Sequence, residues 1–135
     1  MVRLGEPDDL PALAAIQAAS PEAAQWDTSD YLNFDLRVAV SDGEVAGFLV
    51  ARAVAGEAEI LNVAVAPRFR RRGIARELLQ SFLNGFNGPV FLEVRESNQA
   101  ARLTYQALGF AEVNRRSRYY ETPPEAAIVM KFHSC

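Results

Sequence analysis

A cluster of arginines lies in the segment "RFRRRGIA", Arg68–Ala75, where four arginines occupy five consecutive positions. The segment falls between an expected strand and the first turn of an expected helix. The first amides of a helix have no partner within the helix, and they lie at the positive end of its dipole. The segment therefore favours a phosphate or pyrophosphate site built from backbone, with Gly73 allowing close approach. Solvated surface charge and a nucleic-acid contact are the alternatives, and the motif is neither a P-loop nor the three-glycine dinucleotide fingerprint.

A single carboxylate, Glu93, stands inside the apolar run "VFLEVRE", Val90–Glu96. Alternation along a strand places Glu93 on the same face as Phe91 and Arg95. A carboxylate in such a run is uncommon unless it is paired or takes part in chemistry. Glu93 is therefore a candidate functional group. The alternatives are a salt bridge to Arg95 and a surface position on an edge strand.

A second basic and aromatic group lies near the end of the chain. It consists of Arg115, Arg116, Arg118, Tyr119 and Tyr120. The pattern is typical of an exposed strand and equally of a contact surface for a peptide in a cleft beside the strand of Glu93, where Tyr119 is the leading candidate and Arg95 a further one. The loop residue Trp26 is also a candidate for lining that cleft.

Composition limits the classes of function that are open. The chain has 135 residues, 50% of them hydrophobic and 23% charged, with a formal net charge of −3. These values predict a single domain, residues 1–135, and make general nucleic-acid binding a poor expectation. Apolar runs too short to cross a bilayer and an N-terminus unlike a signal peptide predict a cytoplasmic protein.

The sequence contains few of the residues that bind metals or form disulfides. Cys135 is the only cysteine and His133 the only histidine. No intramolecular disulfide, Cys/His metal site or histidine-based triad can be assembled from them. Any catalysis is expected to use carboxylates, tyrosines, backbone groups or a cofactor, with no metal.

Periodicity predicts a mixed sheet with helices on its faces, in the α/β or α+β class. The final two strands would enclose the loop "ETPPE". The expected elements are a helix over Glu6–Ser20, a weaker helical segment over "SDYLNFDL", a hairpin turning at Ser41–Glu44, a strand over Glu57–Val65, an amphipathic helix from Ile74 to about Phe86, a strand over Val90–Glu96, a helix in "SNQAARLTYQALGF", and strands over about Ala111–Tyr120 and Ala126–His133.

Two motifs resemble a known family. The segment "VAVAPRFRRRGIARELL", Val63–Leu79, resembles the acetyl-CoA-binding signature of the Gcn5-related N-acetyltransferases, the GNAT superfamily, with Arg70, Gly73 and Ala75 at the expected spacing. The segment "FLEVRESNQAARLTYQALGF", Phe91–Phe110, is similar to the second half of that fold in the RimI-type branch, which acetylates the N-terminal alanine of a ribosomal protein. The resemblance covers about Glu57–Met130 and implies the GNAT fold.

The resemblance also implies roles for individual residues. Main-chain groups of Val63, Ala64 and Val65 would pair with the pantetheine arm of acetyl-CoA and stabilise the oxyanion. The pyrophosphate would be held by backbone amides, with Arg70 the leading side-chain contact, and these amides belong to Arg70, Arg71, Arg72, Gly73, Ile74 and Ala75. Asn98 would bond the pantetheine arm, Glu93 would act as general base directly or through water, and Tyr105 would protonate the departing thiolate. Without the family, an aromatic at position 105 is most often a core residue.

These motifs indicate the cofactor more specifically than the acceptor amine. At neutral pH an α-amine with a pKa of about 8 costs roughly 1.4 kcal/mol to deprotonate, whereas lysine costs about 4–5 kcal/mol. One carboxylate therefore suits the N-terminal α-amine of a peptide, and the leading expectation is a ribosomal-protein alanine. A small-molecule amine or a lysine is the alternative within the same chemistry. A non-catalytic acyl-CoA-binding regulatory module is an alternative of another class.

Overall fold

The computed structural model describes residues 1–121 and 124–133. Its residues form two compact units, one built from Met1–Arg52 and Ile60–Gly85 and the other from Ala53–Glu59 and the described part of Phe86–Cys135. The single domain expected from the sequence stays a prediction. Thr122 and Pro123 of the "ETPPE" loop, and the only cysteine, Cys135, lie outside the described residues.

The first unit contains two α-helices, two complete strands and the larger part of two further strands. Its elements are β1 (Val2–Leu4), α1 (Leu10–Ala18), a 3-10 turn (Thr28–Asn33), β2 (Asp35–Ser41), β3 (Glu44–Val54), β4 (Glu57–Val65), a 3-10 turn (Pro67–Phe69) and α2 (Ile74–Asn84). The last two residues of β3 and the first three of β4 belong to the second unit. The expected bounds of β4 are confirmed.

Three local expectations for this unit need correction. The helix expected over Glu6–Ser20 begins only at Leu10, because Pro7–Asp9 form a separate 3-10 turn. The weaker helical segment is a 3-10 turn that ends at Asn33, and the residues after it enter β2. The short strand β1 was not expected, since three residues are too few to show an alternating pattern.

The second unit contains the remaining strands and one helix. Its elements after β4 are β5 (Pro89–Arg95), α3 (Gln99–Leu108), β6 (Ala111–Glu121) and β7 (Pro124–His133). The strand order is β1-β2-β3-β4 in the first unit and β4-β5-β7-β6 in the second. β4 and β5 pair in parallel, at Ala58 with Val90 and Glu59 with Phe91, whereas β7 is antiparallel to both β5 and β6. The expected mixed α/β class, with a mostly antiparallel arrangement of strands, is confirmed.

The hairpin between β2 and β3 turns where the sequence indicated. Asp42 and Gly43 have φ values of 54° and 75°. Two positive φ angles at the centre of a two-residue loop match the twist of the strands on either side, and Asp-Gly tolerates them best. The turn thereby fixes the register in which Ser41 pairs with Glu44.

The amphipathic helix α2 is organised as its apolar spacing predicted. Five side chains on one face are buried, at the helical spacing of i, i+4, i+5, i+8 and i+9. They are Ile74, Leu78, Leu79, Phe82 and Leu83. Gly73 precedes the helix in a left-handed conformation and Gly85 ends it. This packing fixes the position of the loop that leads into the helix. No described helix of the protein is long and apolar enough to cross a membrane.

Candidate active site

The loop between β4 and α2 presents backbone amides at the start of the helix. The first amide bonded within the helix is that of Glu77, which donates to the Gly73 carbonyl at 3.0 Å. The amides of residues 73–76 precede it and have no acceptor within the helix, and no side chain caps this helix start. Arg76 thus joins the donors expected from the sequence, whereas the amide of Arg70 donates to the Pro67 carbonyl at 3.3 Å.

Gly73 is required by its backbone conformation and leaves open space beside it. Its φ is +76°, in the left-handed region that side chains disfavour. Apart from its two chain neighbours, no atom of the residues that the structure describes lies within 4 Å of the position that a Cβ would take. The unpaired amides and this open space fit the pyrophosphate of acetyl-CoA, because backbone donors with room in front of them are what a phosphate group requires.

The arginine side chains around this loop bind protein groups. Arg70 donates from Nε to the Val65 carbonyl at 3.1 Å and from Nη2 to the Ser20 hydroxyl at 3.1 Å. Arg68 pairs with Glu44, and its guanidinium lies over the Phe69 ring. The expected contact of Arg70 with the pyrophosphate stays a prediction.

Two more of these arginines have distinct features. Arg72 lies 3.8 Å from Asp42 and also lies over the Phe69 ring. Arg71 has a φ of +65°, so the loop contains a second left-handed residue besides Gly73. Such a conformation in a residue with a side chain indicates that the surrounding structure determines the course of this loop.

The end of β4 contains the three residues expected to pair with the pantetheine arm. Ala64 is buried, whereas Val63 and Val65 are partly exposed, so the side chains alternate between two faces. The Ala64 carbonyl lies 2.9 Å from the position of a Cβ on Gly47 of β3. Only glycine at position 47 allows β3 to approach this end of β4 so closely, a requirement that no sequence pattern revealed.

A buried polar cluster that the sequence analysis missed lies beside this strand. Tyr31 donates its hydroxyl to Oε1 of Gln17 at 2.5 Å, and Nδ2 of Asn62 on β4 lies 3.2 Å from the same oxygen and 3.1 Å from the Tyr31 hydroxyl. Burial raises the pKa of Tyr31, and the hydrogen bond from Asn62 opposes that rise. The cluster joins residues that are 14 to 45 positions apart in the chain, so local spacing could not predict it.

The same cluster holds the loop of Trp26. Residues 20–27, here called the acceptor loop, connect α1 to the 3-10 turn at Thr28. Gln17 donates to the Trp26 carbonyl at 2.6 Å, and Asn62 donates to the Ala24 carbonyl at 3.0 Å. The Trp26 side chain is 48% exposed, so its ring is available for contact with an acceptor.

In the second unit, Glu93 has one paired and one unpaired carboxylate oxygen. Oε1 lies 3.4 Å from Nη1 of Arg116 on β6. Oε2 is buried and has no hydrogen-bond partner among the residues that the structure describes. Buried carboxylate oxygens normally accept hydrogen bonds, so an unpaired one is a free acceptor for a substrate proton or a water.

Aromatic and basic side chains surround this carboxylate. Arg116 lies over the Tyr119 ring at 5.6 Å, and the Tyr119 and Tyr120 rings meet nearly edge to face at 5.2 Å. Burial raises the pKa of Tyr119, and the charge of Glu93 raises it further. The structure thus brings Tyr119 close to Glu93, and the expected contact of Tyr119 with a substrate stays a prediction.

Arg95 has partners of its own beside this group. Its guanidinium lies 3.4 Å from Glu125 and 4.2 Å from the centre of the Tyr120 ring. Burial raises the pKa of Tyr120 to about 12, with a further rise from Glu93 and an opposing effect of Arg95. Arg95 therefore positions Tyr120, and its expected contact with substrate stays a prediction.

Helix α3 positions Asn98 and Tyr105. Asn98 is the N-cap of the helix, and its Oδ1 accepts a hydrogen bond from the Ala101 amide at 3.2 Å. Tyr105 lies two turns further along, 8% exposed, with its ring 5.9 Å from that of Phe110. Burial raises the pKa of Tyr105 well above its usual value, and Tyr120 adds to the rise. A phenol in this state stays protonated at neutral pH and can donate a proton.

Comparison with known proteins agrees with this fold. The profile of the Acetyltransferase (GNAT) family matches residues 8–110. The [ribosomal protein bS18]-alanine N-acetyltransferase of Escherichia coli strain K12 is 35% identical over 93% of this chain and 91% of its own length. The protein of that name from Salmonella typhimurium is 40% identical over 74% of this chain and 70% of its own length. The crystal structure of the Escherichia coli ribosomal-protein-S18-alanine N-acetyltransferase aligns with a TM-score of 0.87 and 30% identity, covering 100% of this chain and 94% of that one.

The chain therefore belongs to the Acetyltransferase (GNAT) family. The expected class of enzyme, an N-acetyltransferase, is confirmed by this membership. The likeness to the RimI-type branch is confirmed as well, since the relatives named as ribosomal-protein alanine N-acetyltransferases match most of the chain.

Proposed function

We propose that this acetyltransferase transfers the acetyl group of acetyl-CoA to the α-amine of a ribosomal-protein N-terminal alanine. The names of its relatives from Escherichia coli and Salmonella typhimurium, [ribosomal protein bS18]-alanine N-acetyltransferases, support this acceptor. The observation on which the proposal rests in this chain is the buried, unpaired Oε2 of Glu93. A free carboxylate oxygen inside a site is the acceptor that an ammonium proton requires.

Glu93 is the general base of the proposed reaction. An α-ammonium with a pKa of about 8 loses its proton near neutral pH at a cost of roughly 1.4 kcal/mol, a small task for one carboxylate. Oε2 accepts this proton directly or through a water, while Arg116 on Oε1 fixes the orientation of the carboxylate. The neutral amine is then the nucleophile, and no covalent intermediate with the enzyme is needed.

Tyr105 is the general acid of the same reaction. Acetyl-CoA supplies the acetyl group as a thioester. The Tyr105 phenol is protonated at neutral pH, as a tyrosine with an ordinary pKa of about 10 is, so it carries a proton that the sulfur can take as the carbon–sulfur bond breaks. The attacking nitrogen loses its second proton to solvent as the amide forms, the Tyr105 phenolate regains a proton from solvent, and Glu93 releases the proton taken from the amine.

Backbone groups of the first unit hold acetyl-CoA in this proposal. The amides at the start of α2 bind the pyrophosphate, and the end of β4, Val63–Val65, binds the pantetheine arm and the developing oxyanion. The Asn98 amide group contributes a further hydrogen bond to the arm. Trp26, Arg95 and Tyr119 contact the acceptor peptide.

A comparison of matched peptides tests the proposal. The protein is incubated with acetyl-CoA and an alanine-initiated peptide that contains a lysine, with the same peptide blocked at its α-amine, and with a small amine. Release of CoA with the free alanine peptide alone is the expected result. Equal release from the free and blocked peptides would transfer the assignment to lysine, and binding of acetyl-CoA without any release would leave a non-catalytic module.

The remaining partners are proposed on the same basis. A ribosomal-protein acceptor places the enzyme in the cytoplasm, where ribosomal proteins are made. The reaction as written uses no metal, and no cluster of three or more possible metal ligands occurs in residues 1–121 and 124–133. Arg68, Arg70 and Arg72 of the loop have protein partners, which gives no support to direct nucleic-acid binding by these side chains.

A further inference from the structure

We propose that Arg70 is a positioning residue that fastens the acceptor loop to the end of β4 and thereby sets the affinity for the acceptor. Its side chain would have little effect on the affinity for acetyl-CoA. The proposal deepens the proposed function and rests on it in one respect, namely that Trp26 in the acceptor loop contacts the acceptor.

The guanidinium of Arg70 connects two elements through three hydrogen bonds. Nε donates to the Val65 carbonyl at 3.1 Å, at the last residue of β4. Nη2 donates to the Ser20 hydroxyl at 3.1 Å and to the Ala19 carbonyl at 3.4 Å. Glu22 lies 3.9 Å from the same nitrogen. Arg70 therefore contacts the start of the acceptor loop and the strand expected to bind acetyl-CoA.

The partners of Arg70 are themselves fixed in place. Ser20 is only 2% exposed, and its hydroxyl donates to the Ile16 carbonyl at 2.8 Å, so its oxygen is oriented to accept from Arg70. The Ala19 carbonyl lies at the C-terminal end of α1, where a positive charge is favourable. Hydrogen bonds from a charged donor to such fixed acceptors are stronger than those between neutral groups.

The acceptor loop is thus held to β4 at two points. Arg70 holds its beginning, and Asn62 holds its middle through the Ala24 carbonyl at 3.0 Å. Loss of Arg70 releases the first point and leaves the second, as well as the bond from Gln17 of α1 to the Trp26 carbonyl, so the beginning of the loop gains freedom without unfolding of the core. The exposed ring of Trp26 then becomes less well ordered. Part of the binding free energy of the acceptor is lost in ordering this ring, so the acceptor binds more weakly.

This geometry distinguishes Arg70 from a phosphate ligand. A phosphate contact would have to share a guanidinium that already serves three protein acceptors. The backbone amides at the start of α2 have no acceptor within the helix and need no arginine side chain to bind an anion. The side chain of Arg70 is therefore assigned to the acceptor side of the reaction.

The test compares Arg70→Met with two reference variants. R70M is expected to raise the KM for the alanine peptide about tenfold, the effect of losing one charged hydrogen bond, with kcat and the Kd of acetyl-CoA within about twofold. R70K keeps the charge but not the planar fork, and its KM should lie between those of R70M and the parent. R68M removes the same charge two positions away, where the partner is Glu44, and should leave the peptide KM within about twofold. A tenfold rise in the acetyl-CoA Kd of R70M with an unchanged peptide KM would overturn the proposal.

A second measurement does not depend on turnover. Amide hydrogen exchange in residues 20–27 should be faster in R70M than in the parent, and unchanged in R68M, with neither substrate present. If no peptide is acetylated by the parent, the proposed function fails, but faster exchange still supports the fastening of the loop by Arg70. Equal exchange in R70M and the parent would refute that fastening whatever the activity.

Discussion

Glu93 on β5 and Arg116 on β6 form an ion pair of 3.4 Å that engages only one of the two carboxylate oxygens. The other oxygen is buried without a hydrogen-bond partner among the described residues. Because Arg116 binds Oε1 and fixes the orientation of the carboxylate, the orientation of Oε2 is fixed as well. This arrangement separates the group that orients the carboxylate from the oxygen available for proton transfer.

Glu93→Gln removes the proposed base with almost no change of shape. We expect kcat for the alanine peptide to fall by about 100-fold or more, with the Kd of acetyl-CoA unchanged within about twofold. Steady-state kinetics and a binding titration measure the two effects. The matched control is Glu96→Gln, three residues away, where the exposed carboxylate pairs with Arg115 and kcat should be retained. A kcat of E93Q close to that of the parent would remove Glu93 from the chemistry.

Tyr105→Phe removes only the proposed acidic hydroxyl. The ring still packs against Phe110, so the fold and acetyl-CoA affinity should be kept while kcat falls by about 100-fold. Kinetics of the purified variant, with circular dichroism to confirm folding, provide the measurement. Retention of the parent kcat would assign Tyr105 to packing alone.

Gly73→Ala tests the backbone conformation at the start of α2. A side chain at a φ of +76° costs about 1–2 kcal/mol, so the loop should shift and the Kd of acetyl-CoA should rise by about tenfold. Gly43→Ala is the matched control, because Gly43 has a φ of +75° and equally open surroundings but lies in the β2–β3 turn. G43A should lose stability without losing acetyl-CoA affinity. A larger loss of affinity in Arg71→Met than in G73A would instead make the side-chain charge decisive.

The tyrosines predict a loss of stability in alkaline solution. Burial is the main cause that raises the pKa of each of the four, Tyr31, Tyr105, Tyr119 and Tyr120. An unfolded chain then loses its phenolic protons first, near the ordinary pKa of about 10. The free energy of unfolding should therefore be unaffected by these groups below pH 10 and fall as the pH rises toward the pKa of about 12 of Tyr120.

Urea unfolding at a series of pH values from 9 to 11 measures this dependence. Y105F should show a shallower decline than the parent, because one buried phenol has been removed, while Y119F should change the slope less, since Tyr119 is 48% exposed. A free energy of unfolding that stays constant over this range would contradict the expected ionisation of buried phenols.

Local patterns were sufficient for the elements that position the site. The bounds of β4, the buried face of α2 and the Asp-Gly turn all follow from the spacing of neighbouring residues. The Ser/Asn start of α3 was equally visible, because an N-cap side chain bonds an amide only three residues away. Such features need no knowledge of the rest of the fold.

Pairings between distant segments could not be obtained in this way. A salt bridge to its neighbour on the strand face, Arg95, was one alternative for Glu93, whereas the structure pairs Glu93 with Arg116 and pairs Arg95 with Glu125. The association of Gln17 with Asn62 likewise depends on how α1 packs beside β4. These partners follow from strand order and packing, which spacing along the chain does not contain.

The acceptor loop is held partly through its main chain, at the carbonyls of Ala24 and Trp26 and at that of Ala19 just before it. Because every amino acid has the same carbonyl, loop residues whose side chains make no hydrogen bond can be exchanged with little loss of these bonds. The loop is therefore a suitable region for libraries that alter acceptor preference, provided that Gln17, Ser20, Gln25, Asn62 and Arg70 are kept constant. Selectivity for one N-terminus over another could then diverge between related enzymes without redesign of the acetyl-transfer chemistry.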